Sequence, residues 1–284
     1  MKRILLPTDF SENAFNAIKY AVQFLKNDVC EFYILHTYTP AIVSAGSMID
    51  SHSSLALQQE VQQHAQLKLD ALKEQIVTGY PNSNHSFVTI ASFNMLIPEM
   101  KEQIDQNNID YVIMGTQGAT GAKEVFLGTK TMYAIKKLFC PVLAVPSNFS
   151  YEAPKEILFP TDYRMKKENK YLKYIREICD SHIARLHVLH SYYGTPLTEE
   201  QLDVKAYLDA YLIDNAHLFH IAEGSDVIEA IDQFQLQTKI NLIVMIHNKH
   251  TFLENLLFKP VINQIVYHTN VPFLVIPSKD RQVT

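Results

Sequence analysis

The chain has 284 residues, 47% of them hydrophobic and 19% charged, with a formal net charge of −5. That length suits about two domains, and that composition is globular rather than disordered. A net negative charge supplies no global field for nucleic acid or anionic lipid, so neither partner is expected. The three cysteines, Cys30, Cys140 and Cys179, form no CxxC pair and no disulfide framework; they read as small buried hydrophobes of a cytoplasmic protein. The polar turn Pro7-Thr8-Asp9 interrupts the apolar start, so no signal peptide is expected, and no apolar run approaches the roughly 20 residues that span a membrane.

Taken in order, Lys2 to Leu6 is a short apolar strand ending in a turn. Ser11 then caps a helix with Ala14, Ala17, Ile18, Ala21 and Leu25 at helical spacing. Glu31 to Leu35 is a second strand, and Val61, Ala65, Leu69, Leu72 and Ile76 mark a long amphipathic helix. Phe87 to Ala91 is a third strand, Ile97 to Ile104 begins a helix, and Tyr111 to Met114 is a fourth strand. Thr129 to Leu138 is a last helix and Pro141 to Val145 a last strand. Strands alternating with helices imply a parallel sheet with right-handed crossovers and helices on both faces. Ligands of such sheets sit beyond the carboxyl ends of the strands, where the strand order reverses.

The pattern then repeats. Ile4-Leu5-Leu6-Pro7-Thr8-Asp9 returns as Ile157-Leu158-Phe159-Pro160-Thr161-Asp162, and Ile34-Leu35-His36-Thr37-Tyr38 as Val188-Leu189-His190-Ser191-Tyr192. Pro141-Val142-Leu143-Ala144-Val145-Pro146-Ser147 returns as Pro272-Phe273-Leu274-Val275-Ile276-Pro277-Ser278. The chain is therefore a duplication, with domains at residues 1–148 and 154–279. The first copy carries about twenty extra residues around Thr39 to Gln58. The last strand of each copy is an apolar edge, so the two copies are expected to pack through them as an intramolecular pseudo-dimer. A further homodimer is left open.

Four of the eight glycines fall between Gly115 and Gly128. Gly115 and Gly118 follow a strand, and Gly128 with Thr129 opens a helix. Glycine lets backbone approach a ligand, and free amides at a helix start make an anion cradle. The hydroxyls of Thr129 and Thr131 are candidate phosphate contacts. The loop is neither a Walker A sequence nor a dinucleotide GxGxxG, and tight turns alone would also explain the glycines. No nucleophile elbow, HExxH, zinc CxxC pair or kinase signature is present.

The spacing Gly115-x2-Gly118-x9-Gly128-Thr129 resembles the nucleotide signature of the universal stress protein family. Pro7-Thr8-Asp9-Phe10-Ser11, the strand end Leu35-His36 and the closing Cys140-Pro141-Val142-Leu143 resemble that family too. The resemblance runs over nearly the whole chain, once per half. It implies two tandem α/β domains, each a five-stranded parallel sheet of the adenine nucleotide alpha hydrolase-like, Rossmann-like type. It also implies ATP, with Mg2+, bound by a subset of members, the glycine loop lying around the phosphates. Thr8, Asp9 and Thr37 would then lie near the ribose and adenine. In the second copy Ile246, Lys249, Lys259 and Pro260 replace Gly115, Gly118, Gly128 and Thr129, so that half is expected to be structural. Its histidines, with His190, His247 and Asp162 near strand ends, form a metal set only if they converge; the packing reading of His190 is favoured. The expected function is a stress-related regulatory protein that binds an adenine nucleotide through its first domain. The alternatives are a nucleotide-free interaction module and a slow ATPase.

Overall fold

The computed structural model describes residues 1–39, 51–116, 128–167, 169–192, 194–247 and 270–277. The first half contains strands β1 (Lys2–Pro7), β2 (Cys30–Thr37), β3 (His85–Ser92), β4 (Tyr111–Gly115) and β5 (Val142–Val145). Its helices are α1 (Glu12–Phe24), α2 (Ser51–Gly79), α3 (Leu96–Gln106) and α4 (Thr129–Lys137). The second half repeats the alternation with β6 (Glu156–Pro160), β7 (Arg185–Tyr192), β8 (His217–Glu223), β9 (Leu242–His247) and β10 (Phe273–Pro277), and with α5 (Leu172–His182), α6 (Glu199–Tyr211) and α7 (Val227–Gln237). Among the described residues no helix is long and apolar enough to cross a membrane.

The ten strands form one sheet in the order β3-β2-β1-β4-β5-β10-β9-β6-β7-β8. All neighbours are parallel except the central pair, where β5 and β10 run antiparallel with Ala144 opposite Phe273, Leu143 opposite Leu274 and Val142 opposite Val275. These strands are wholly buried. Apolar edges with unpaired amides are covered here by each other, which is why the seam falls on the last strand of each copy. The antiparallel seam has a functional consequence: the carboxyl ends of the two sets of parallel strands point in opposite directions.

Helix α1 follows from its sequence. Ser11 accepts from the Ala14 amide, and Ala14, Ala17, Ile18 and Ala21 fill one buried stripe. That stripe joins Leu69 and Ile76 of α2 and the α5 residues Ile175, Ile178 and Cys179 in a core on one face of the sheet. The opposite face packs Met100 and Ile104 of α3, Ala134 and Ile135 of α4 and Ile231 of α7. The halves also meet through side chains: Tyr174 donates to Asp110 at 3.3 Å, Tyr171 donates to the Phe139 carbonyl at 2.7 Å, and Lys2 bridges to Glu177 at 3.4 Å.

The extra segment of the first copy is partly helix. Ser51 to Gln58 belong to α2, which runs 29 residues against 13 for its counterpart α6. The remainder from Pro40 to Asp50 lies outside the described residues.

Candidate functional site

In the first half β2 lies on one side of β1 and β4 on the other, so the strand order reverses between β1 and β4. Of the expected residues, Thr8 and Asp9 follow β1, Thr37 ends β2, Gly115 ends β4, and Gly128, Thr129 and Thr131 lie at the start of α4.

At the end of β1 the chain turns sharply into α1. The Thr8 amide still donates to Leu35 across the sheet at 2.8 Å, and the Thr8 hydroxyl oxygen accepts from the Phe10 amide at 3.0 Å. Asp9 Oδ1 accepts from both the amide and the hydroxyl of Ser11, at 3.2 and 2.6 Å. Phe10 sits in the left-handed region with φ 64°, a costly conformation for a bulky residue that its surroundings must hold. Thr8 is buried and Asp9 half-buried, so the carboxylate is fixed at the mouth of the crevice.

At the end of β2, Thr37 pairs in register with Ser92 of β3. Alternation puts Thr37 on the face of Tyr33 and Leu35, and Ser92 on the face of Ile90, which is the face covered by α3 and α4. At the end of β4, Gly115 faces the other way. A Cβ built there would meet the end of the Asn13 side chain at 2.9 Å, so a larger residue here requires Asn13 to shift. Gly115→Ala is therefore expected to cost up to about 1 kcal/mol. Asn13→Ala should recover most of it, a coupling read in a urea double-mutant cycle. Purely additive costs would show that Asn13 does not impose the glycine.

Thr116 follows on the α3/α4 face. Its amide donates to Val145 at 2.9 Å, and its carbonyl accepts from the Gly128 amide, drawing the start of α4 against the end of β4. Its hydroxyl is buried and has no hydrogen-bond partner among the described residues. Sequence reasoning passed over this residue, although it stands directly after the first glycine of the signature.

Helix α4 opens on Gly128, whose position supplies no side-chain cap. Its first-turn amides therefore carry the positive end of the helix without a side-chain acceptor at the cap position. Thr129 is exposed there. Thr131 is placed differently from a phosphate contact: it is buried and its hydroxyl donates to the Gly115 carbonyl at 2.7 Å. It latches α4 to β4 rather than reaching into the crevice. Gly118 lies outside the described residues, as do Lys249, Lys259 and Pro260 of the second copy.

Beside Thr37 lies a buried acid that the sequence did not reveal. Glu99, 5% exposed, accepts through Oε2 from the Ser92 hydroxyl at 2.7 Å and the Asn94 amide at 3.0 Å, and through Oε1 from Gln103 at 2.8 Å. Burial alone would raise its pKa, but the three hydrogen bonds from Ser92, Asn94 and Gln103 together hold it below the ordinary carboxylate value.

The second half keeps the turn and changes the rest. Thr161 accepts from the Tyr163 amide at 3.0 Å, Asp162 from the Arg164 amide at 3.0 Å, and Tyr163 has φ 56°. His190 Nδ1 meets the Thr161 carbonyl at 3.0 Å, as His36 Nδ1 meets the Thr8 carbonyl at 2.9 Å. His190 is thus a repeated packing element, and no metal-holding cluster occurs among the described residues. Ile246 is buried at the position of Gly115. A cavity of about 30 Å³ lined by Thr161, Asp162, His190 and Ser191 is what the described residues show at this switch point. That is room for water, far below the few hundred Å³ of a small-molecule site.

The fold defines the chain as a tandem, doubly wound α/β protein, with the ends of β1 and β4 and the start of α4 at its first switch point. The family model of the universal stress protein family matches residues 1–146 and 154–277, so the chain belongs to the universal stress protein family. A universal stress protein of Methanocaldococcus jannaschii is 27% identical over 157 residues, which cover 51% of this chain and 94% of that protein. One from Bacillus subtilis is 23% identical over 148 residues, covering 50% of this chain and 97% of the relative. The solved structure of a universal stress protein from Archaeoglobus fulgidus superposes with a TM-score of 0.63 at 20% identity, covering 98% of this chain and 97% of that one. That likeness bears on the two-domain fold alone.

Proposed function

We propose that this chain binds an adenine nucleotide at the first-half switch point and serves as a nucleotide-responsive regulatory protein, its second half being structural. ATP is the expected ligand, with Mg2+ carried on its phosphates. The observation that carries the reading is Thr116. A buried hydroxyl without a partner costs free energy unless something meets it. The Thr116 carbonyl accepts from the Gly128 amide, which holds the residue at the start of α4, where an anion is favoured by amides and helix dipole together. Asp9, fixed by Ser11 at the neighbouring strand end, is placed for a sugar hydroxyl; Thr37 lies one strand further on. Gly118 and Thr129 complete the cradle in this reading, while Thr131 supports it from behind.

Native mass spectrometry of freshly purified protein should show one copurified adenine nucleotide. Gly118→Val should remove that mass while leaving the circular-dichroism spectrum unchanged. Protein that carries no nucleotide and gains none on addition of Mg-ATP would leave the glycines as turn formers in an interaction module.

A further inference from the structure

The hydrogen bonds around Glu99 have a fixed direction. Asn107 Nδ2 donates to Gln103 Oε1 at 2.8 Å, which leaves the Gln103 amide nitrogen for Glu99 Oε1. The Met95 amide donates to Asn94 Oδ1 at 2.8 Å, which leaves the Asn94 nitrogen for Glu99 Oε2. An ionised carboxylate only accepts, so the single proton of the Ser92 hydroxyl is committed to Oε2. The Ser92 carbonyl is occupied as well, accepting from the Tyr38 amide at 3.0 Å. What Ser92 can still offer is its hydroxyl oxygen, as an acceptor only, from a half-buried position on the α3/α4 face.

The place of that oxygen relative to the cradle follows from strand spacing. In the proposed function the phosphates lie at the end of β4, and the strand order from there is β4, β1, β2, β3. Three spacings of about 4.8 Å put Ser92 roughly 14 Å away, within the reach of an extended nucleoside triphosphate. Phosphates over β4 and sugar over β1 bring the far edge of the base to β2 and β3.

Resting on the nucleotide-binding reading above, we propose that Ser92, oriented by Glu99, selects a base with an exocyclic amine at that edge, adenine, over one with an oxo group. An amine donates into the Ser92 oxygen. An oxo group would set two acceptors against each other with no proton between them, and a directional polar site rejects the wrong pattern strongly. Ser92 acts on the ligand directly; Glu99, Asn94 and Gln103 are positioning residues.

Calorimetric titration with ATP and with ITP tests this, because the two differ only at the 6-position and its neighbouring ring nitrogen. The native chain should bind ITP at least about tenfold more weakly, and Ser92→Ala should bring the two within about threefold. Ser92→Thr, which keeps the hydroxyl, should restore the preference. Glu99→Gln should also erase the preference while leaving ATP affinity within a few-fold, whereas a merely structural role would weaken both ligands equally. Equal native affinities, or a preference that survives Ser92→Ala, would overturn this inference and leave the nucleotide site standing. If neither nucleotide bound, this inference and the nucleotide-binding reading would both be overturned.

Discussion

Titration of the full chain with Mg-ATP at moderate salt is expected to give one site per chain, and Gly128→Lys is expected to weaken it by about 100-fold or more. The halves share the turn after their first strand down to the left-handed Phe10 and Tyr163, so that turn does not decide which half binds. In the proposed function the glycine loop decides. In the second half Ile246 stands where Gly115 stands, and the sequence places Lys249, Lys259 and Pro260 at the other signature positions. Proline offers no amide to a cradle. The antiparallel pairing of β5 and β10 turns the two switch points away from each other, so no single ligand bridges them. Lys249 and Lys259 supply at most a weak, salt-sensitive anion attraction with no selectivity for a base. Gly128 has φ −58° and ψ 144°, which any residue adopts. A lysine there should fold without backbone strain and fill the mouth of the cradle, so lost binding reports the site. Two equal tight sites, or affinity that survives Gly128→Lys, would make the erased signature irrelevant.

The duplication, the seam and the position of the crevice were legible because each depends on local pattern. Matching apolar blocks gave the repeat, and two apolar last strands gave the β5–β10 pair. Ser11 before a helical stripe gave α1, and Gly128-Thr129 gave the start of α4. The side chains inside the crevice were less legible. Thr129 and Thr131 look equivalent in sequence, yet two residues along a helix differ by about 200° in direction. One therefore faces solvent and the other donates to Gly115. Thr116 reads as one more polar loop residue, and only its burial without a partner among the described residues marks it. Glu99 belongs to a residue type expected at the surface; its partners Ser92 and Asn94 come from a different element, so nothing in the spacing betrays the network. Gly115 lies against the end of the Asn13 side chain, a contact between β4 and α1 that the sequence spacing does not reveal.

Acid should loosen the contact between the halves through one residue, His182. It is 6% exposed at the end of α5, and its ring stacks on Phe24 of α1 with centroids 4.9 Å apart. A histidine at a helix C-terminus is ordinarily favoured in its charged form. Here burial, reinforced by the Lys155, Lys26 and Lys2 ammonium groups and only partly offset by Asp28, lowers its pKa to about 4. Lys155 also donates to the His182 carbonyl, which fixes that ammonium nearby. The unfolded chain, with an ordinary value near 6.5, takes up the proton first. The stabilisation is thus complete above about pH 6.5, falls as pH drops toward 4, and levels off below it. A difference of about 2.5 pK units corresponds to about 3 kcal/mol. His182→Phe keeps a flat ring against Phe24 and removes the titration. Urea unfolding at pH 7 should change little in this variant, while the loss between pH 6.5 and 4.5 should shrink by about 2–3 kcal/mol relative to the native chain. His220, also lowered by burial and by His187, contributes the same sign in both proteins and drops out of the difference. Parallel pH profiles for the two chains would show that His182 carries no acid sensitivity at the seam.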